Sequence, residues 1–207
     1  MKPQTTPPIV YIIGTDSDSR ASLEQLADTS GSEAVTLTSS EDLLERRRLD
    51  VPSCLILDVS LADVNVLDLQ QRLAVEWPDL PIIFVSDLED IPLTVRALKA
   101  GAVEFLAKPF ADDVMIDAIR QAHQRNRRAL EHEAMVSDLR DSYAGLTRRE
   151  REVMALVADG LLNKQVGGEL GISEITVKAH RGQVMRKMEA GSLADLVNMA
   201  ARLGVSH

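Results

Sequence analysis

Four polar residues stand just past four short apolar runs. Asp16 follows Ile9–Ile13 (IVYII), Asp58 ends Cys54–Leu57 (CLIL), Ser86 ends Ile82–Val85 (IIFV), and Lys108 follows Val103–Leu106. Two carboxylates, a hydroxyl and an ammonium make a set that can hold a cation and neutralise an incoming anion. Whether they meet depends on what the apolar runs become. Asp and Ser are also common turn residues, so capping accounts for the same set taken singly.

The runs are rich in β-branched and aliphatic residues and read as buried strands. Ala34–Leu37 is a further strand. Between them lie helix-period segments at 19–28, 41–48, 67–77 and 92–100. Pro78 stops the third, because the residue before a proline avoids helical geometry, and Gly101 closes the fourth. Strands alternating with helices imply βαβ units and a parallel sheet covered on both faces. Five units in the first 110 residues or so predict a doubly wound, flavodoxin-like α/β domain. In such sheets ligands gather beyond the carboxyl ends of the strands, where all four polar residues fall.

A helical pattern restarts at Asp112, with Val114, Ile116, Ala118 and Ile119 expected on the sheet. It turns polar across 120–133, where only Ala122, Ala129 and Leu130 are apolar. A helix polar nearly all round bridges domains or pairs weakly with a second copy; an exposed linker fits equally well. Val136, Leu139 and Tyr143 lead into a second, all-α domain of four helices. Thr147 and Glu150 form a capping box, ahead of Val153, Met154, Leu156 and Val157. Asn163–Leu170 ends at Gly171, Ser173 caps Glu174–Met188, and Ser192 caps the last helix through Leu203. The two helices joined through Gly171-Ile172-Ser173 make a helix-turn-helix. The expected boundaries are residues 1–122, a helical linker over 123–142, and 143–207.

The chain of 207 residues is 45% hydrophobic and 3% aromatic, so aliphatic side chains must fill both cores. Its net charge of −9 argues at first against a nucleic-acid partner. The distribution reverses that: residues 1–122 carry −11, residues 123–142 are neutral, and residues 143–207 carry +2. Opposite signs at the two ends point to different partners. No run of about 18 apolar residues exists, so no transmembrane helix is expected. The start, MKPQTTPPIV, lacks the features of a signal peptide. A lone Cys54 excludes a disulfide framework and fits a cytoplasmic setting. No catalytic triad, zinc-ligand spacing or phosphate-binding glycine loop occurs, so an enzyme is not expected. His123, His132, His180 and His207 are scattered, as solvent or linker residues would be.

Two long stretches resemble the response regulators of the FixJ/NarL type: DIPLTVRALKAGAVEFLAKPF (90–110) their receiver domain, and LTRREREVMALVADGLLNKQVGGELGISEITVKAHRGQVMRKM (146–188) their LuxR-type DNA-binding domain. The resemblance implies a two-component transcriptional regulator with Asp58 as phosphoacceptor. It places Lys108 against the phosphoryl group, Ser86 as the switch hydroxyl and Phe105 as the rotating aromatic. An ordinary core aromatic explains Phe105 at least as well. Lys108-Pro109 matches a peptide bond that is cis in the family. In the second domain it implies base or groove contacts from Thr176, Lys178, His180 and Arg181, Lys178 foremost. Ser173, Lys164 and Lys187 would hold phosphates. Val177, Val184, Met185 and Met188 would be packing. The implied partners are duplex DNA half-sites, a histidine kinase and a second copy of the chain, with no membrane.

One departure bears on the cofactor. The family's acidic pair after strand 1 aligns with Gly14 and Thr15, leaving Asp16 and Asp58 as metal ligands. Mg²⁺ relies on one or two carboxylates plus waters, so it should bind weakly and phosphorylation should be slow or dispensable. In that alternative the receiver is a protein-interaction or dimerisation module while the helix-turn-helix still binds DNA. The loop at Ser60-Leu61-Ala62 and the segment Asp87-Leu88-Glu89 also depart from the family. Asp87 or Glu89 would either return a carboxylate to the pocket or face solvent. In the second domain, Gly182 removes a side chain from the reading helix, and Gly167, where alanine is usual, should cost about 1 kcal/mol. Both point to modest affinity supported by dimerisation, and the last helix has an apolar face wide enough for core and dimer contact; core packing alone explains it nearly as well.

Overall fold

The computed structural model describes residues 6–14, 17–59, 66–87 and 91–205, which fall into two compact units, 1–131 and 132–207. Asp16, Thr15, the loop at Ser60-Leu61-Ala62, Leu88, Glu89 and His207 lie outside the described residues. The first unit runs β1 (Ile9–Ile13), α1 (Ser17–Thr29), β2 (Glu33–Leu37), α2 (Ser40–Leu44), β3 (Ser53–Asp58), α3 (Val66–Glu76), β4 (Ile82–Ser86), α4 (Ile91–Lys99) and β5 (Glu104–Ala107). Helix α5 (Asp112–Ala144) starts in this unit and ends in the second, which adds α6 (Arg148–Ala158), α7 (Asn163–Leu170), α8 (Glu174–Lys187) and α9 (Leu193–Leu203).

All five strands are parallel, in the order β2-β1-β3-β4-β5. The alternation of side chains along each strand sorts the apolar runs into two cores. Ile9, Tyr11, Ile13, Leu55, Leu57, Ile82 and Phe84 face one side, with Leu43 of α2, Leu69 and Leu73 of α3, and Ala97 of α4. Val10, Ile12, Cys54, Ile56, Ile83 and Val85 face the other, against Leu23 and Leu26 of α1 and Met115, Ala118 and Ile119 of α5. Burial on both faces is why these strands read as unbroken apolar runs. Each such side chain contributes about 1.5–3 kcal/mol.

Three expectations need correction. Helix α2 ends at Leu44, with Glu45 as its cap, so the predicted 41–48 segment stops before Arg46-Arg47-Arg48. Val114 is 45% exposed, and the sheet-facing row of α5 is Met115, Ala118, Ile119 and Ala122. The i, i+3, i+4, i+7 spacing of that row is the helical one.

The third correction concerns His123, read as a solvent or linker residue. It is buried at 7% exposure, as is Asn126 at 4%. His123 Nε2–H donates to Ile9 O at 3.0 Å, which fixes the proton on that nitrogen because a carbonyl can only accept. The Asn126 side chain accepts from Ser53 N at 2.8 Å and donates to Asp79 O at 2.7 Å. These two side chains fasten α5 to backbone groups at the amino ends of β1 and β3 and in the turn ahead of β4. Truncation leaves buried polar groups unpaired, at about 1–3 kcal/mol each. Asn126→Ala is therefore expected to destabilise the first unit by on the order of 2–4 kcal/mol in denaturant unfolding.

Burial depresses the His123 pKa, and the Arg127 charge lowers it further, against a hydrogen bond to Ile9 that raises it. The unfolded chain therefore binds its proton at a higher pH than the folded one. The stability this group protects is complete above pH ~6.5, the unfolded value, and falls as pH drops from there toward the lower folded value. Unfolding free energies measured from pH 8 to 5 should decline across that window, and His123→Gln should flatten the decline.

In the second unit, Thr147 caps α6 in the predicted capping box and Ser173 and Ser192 cap α8 and α9. Gly171 ends α7 in the left-handed conformation. The core gathers Leu146, Val153, Met154, Val157, Val166, Val177, Val184, Met188, Leu196 and Ala200, with Leu156 and Met185 partly buried around it. Gly167 is buried, and a Cβ there would stand 2.8 Å from Ile172 O. The glycine thus permits the close approach of α7 to the turn, an approach that offsets the helix-propensity cost expected from sequence.

Candidate functional site

Strand register creates the pocket of the first unit. Asp58 pairs with Val85 and Ser86 with Ala107, so Asp58, Ser86 and Lys108 leave the carboxyl ends of three adjacent strands. Lys108 N donates to Ser86 O at 2.8 Å, holding the end of β5 against β4. The Lys108 ammonium donates to Asp58 Oδ2 at 2.6 Å and lies 3.6 Å from Asp87 Oδ1. The Asp58 side chain is 2% exposed and that of Asp87 is 59% exposed. Burial alone would lower the Lys108 pKa; the hydrogen bond and charge of Asp58, then Asp87, outweigh it and leave the pKa raised. Lys108 is thus a fixed cation aimed at a sheltered carboxylate.

Asp87 is the carboxylate that sequence reading left undecided: its outer side faces water while one oxygen turns toward Lys108. Ser86 is buried beside it. Phe105 is half-buried with its ring centroid 6.1 Å from that of Phe84. The Lys108-Pro109 bond is cis. Gly14 closes β1 with φ of +86°, a conformation that disfavours any residue with a Cβ. An acidic side chain is therefore disfavoured at this position. Among the described residues no group of three or more His, Cys, Asp or Glu gathers to hold a metal. Asp58 and Asp87, at 2.6 and 3.6 Å from the Lys108 ammonium, are nevertheless two carboxylates, the donor type and number that suit Mg²⁺ with its retained waters.

In the second unit, α8 divides sharply. Val177, Val184 and the capping Met188 are buried, while Ile175, Lys178, Ala179, Gly182, Gln183 and Arg186 are exposed. Of the side chains predicted to face a groove, Lys178 lies on the exposed face, in an i,i+4 ion pair with Glu174 at 3.2 Å. Thr176, His180 and Arg181 are half-buried on the flanks. Arg181 donates to Asn163 Oδ1 at 3.3 Å. Ser173 Oγ accepts from Thr176 N at 3.1 Å, and Lys164 is exposed near the start of α7. Lys187 is turned inward instead. Its ammonium donates to Glu150 Oε2 at 2.7 Å and Gly145 O at 3.3 Å. Glu150, buried within the Thr147 box, has its pKa lowered first by that Lys187 bond and then by the Thr147 amide. Sequence reading missed Ile175 and Arg186, although counting about 100° per residue from Val184 places both opposite the core.

An acidic pocket at a sheet's carboxyl edge, closed by a lysine, together with a capped helix-turn-helix, defines a receiver coupled to a DNA-binding module. Residues 10–120 match the response regulator receiver domain and residues 144–200 the bacterial regulatory proteins of the luxR family. Nodulation protein W of Bradyrhizobium diazoefficiens is 46% identical over 202 residues, covering 98% of this chain and 89% of that protein. Transcriptional regulatory protein FixJ of the same organism is 34% identical, covering 97% and 98%. Among solved structures, the response regulator StyR matches with a TM-score of 0.81 at 39% identity, covering 95% of this chain and 99% of that one. The chain belongs to the two-component response regulators of the FixJ/NarL type, transcriptional regulators that join a receiver to a LuxR-type helix-turn-helix. The family regulates transcription by binding DNA and is not a family of enzymes. No helix among the described residues is long and apolar enough to cross a membrane.

Proposed function

We propose that Asp58 accepts a phosphoryl group from a histidine kinase and that its modification sets the affinity of α8 for promoter DNA. The observation that carries this reading is the 2.6 Å contact of Lys108 with Asp58. Phosphoryl transfer demands little covalent chemistry from the protein; positioning and charge neutralisation do the work. A carboxylate oxygen of Asp58 attacks the phosphorus of the kinase's phosphohistidine, the P–N bond breaks with the imidazole as leaving group, and the Lys108 ammonium neutralises the negative charge brought to Asp58. The Ser86 hydroxyl then bonds a phosphoryl oxygen, and Phe105 fills the space this vacates. Mg²⁺ would be held by Asp58 with Asp87 and Asp16, supplying charge neutralisation when bound. With Gly14 and Thr15 in place of the family's acidic pair, its hold is weak.

At the other end, Lys178 reads base edges with Thr176, His180 and Arg181 beside it, while Lys164 and the amino end of α8 at Ser173 hold phosphates. Lys187 is withdrawn from that set, because its charge already serves Glu150. Two copies bind paired half-sites about one helical turn apart, with the exposed Leu193 and Val197 of α9 available to pair across a twofold axis. The work is cytoplasmic, where kinase and DNA meet. Phosphorylation shifts a population between two states by adding contacts made in only one of them.

Sedimentation of the whole chain, with and without beryllofluoride and Mg²⁺, tests the switch. The expected result is a shift from monomer toward dimer that Asp58→Asn abolishes. A mass unchanged by beryllofluoride at millimolar Mg²⁺ would transfer the receiver's role to phosphate-independent protein interaction.

A further inference from the structure

Ile175 is 80% exposed, a β-branched apolar side chain left in water on the first turn of α8. Nine residues separate it from fully buried Val184, about 180° of helix rotation. It therefore lies at the centre of the face turned away from the core, in line with Ala179 and Gly182. Nothing within 4 Å would meet a Cβ added at Gly182, so this stripe is apolar at its start and shallow along its length. Lys178 flanks it on one side and Gln183 on the other. Arg186, exposed at the far end of this face, can serve a phosphate; the apolar start at Ile175 cannot.

We propose that Ile175 is a specificity-determining residue that packs on the C5-methyl group of a thymine in the major groove. The inference rests on the DNA-binding reading of α8 and adds the base it selects. Thymine alone among the four bases offers a methyl group there, and apolar side chains are its natural contact. The small residues Ala179 and Gly182 let the helix approach closely enough for that contact, and Lys178 remains free to reach a guanine edge beside it.

The test is to select duplexes from a random pool with the whole protein, then resynthesise the preferred one with each thymine replaced by deoxyuridine. That exchange removes the methyl and nothing else. Wild type should lose roughly three- to tenfold in affinity at one thymine per half-site, the order expected for one buried methyl. Ile175→Ala should bind the parent duplex more weakly by a similar factor and be indifferent to deoxyuridine at that position, with its response at other thymines unchanged. The substitution is at an exposed helical site and favours helix, so folding is preserved. Equal deoxyuridine sensitivity of wild type and Ile175→Ala at every thymine would overturn the proposal while leaving DNA binding intact. So would unweakened binding by Ile175→Ala, which would assign the exposed isoleucine to a protein contact. Failure to select any duplex would remove the DNA-binding reading, and this inference with it.

Discussion

Asp58→Asn is expected to abolish phosphoryl labelling by acetyl phosphate, while the wild-type protein should be labelled slowly and only with Mg²⁺. An amide oxygen carries no charge with which to attack phosphorus, and the other described carboxylate beside Lys108, Asp87, is not sheltered in the same way. Asp87 lies nearby but is 59% exposed and sits a full 1 Å farther from Lys108 than Asp58 does, at 3.6 Å against 2.6 Å. The expected slowness of the wild type has a separate cause: Gly14, with its positive φ, and Thr15 stand where the resemblance places an acidic pair. Labelling followed by mass spectrometry separates the two statements. Rapid, stoichiometric labelling of wild type would show the remaining carboxylates to be sufficient. Label retained in Asp58→Asn would place the acceptor elsewhere.

Lys178→Ala carries the second large effect. Specific binding should weaken by roughly 1–3 kcal/mol, with loss of discrimination at one base pair per half-site. Its present partner, Glu174, is an exposed i,i+4 contact worth only a few tenths of a kcal/mol, so releasing the ammonium to a base costs little. Lys164→Ala gives the contrast: affinity falls for all sequences alike, and the slope of log K against log salt decreases by about one. Competition binding at two salt concentrations resolves both variants. Unchanged specificity in Lys178→Ala would mean that another part of α8 reads the bases.

Much of the architecture is written locally. Every strand follows from a short apolar run, and the alternation within each run sends its side chains to two cores. Asp58, Ser86 and Lys108 were placed by that logic alone, since residues just past parallel strands must share one edge. Caps at Thr147, Ser173 and Ser192 were equally plain, because a cap is a contact over three residues. The unread features depend on distant partners. His123 and Asn126 look like linker residues until Ile9 O, Ser53 N and Asp79 O appear beside them, backbone groups tens of residues away. Lys187 has the composition of a phosphate contact and is instead tied to Glu150, which sits 37 positions earlier. Gly167 reads as a defect in a helix, though Ile172 O leaves no room for a Cβ. Val114 and Met115 differ by one position, a rotation of about 100° that a short amphipathic pattern does not fix.

The affinity of the whole chain for its selected duplex, measured with and without beryllofluoride and Mg²⁺, confronts the coupling of pocket to helix most directly. Occupying the Asp58 pocket is predicted to tighten binding in the wild type and to do nothing in Asp58→Asn. Identical affinities in all four conditions would contradict control of α8 by the carboxylate at the end of β3.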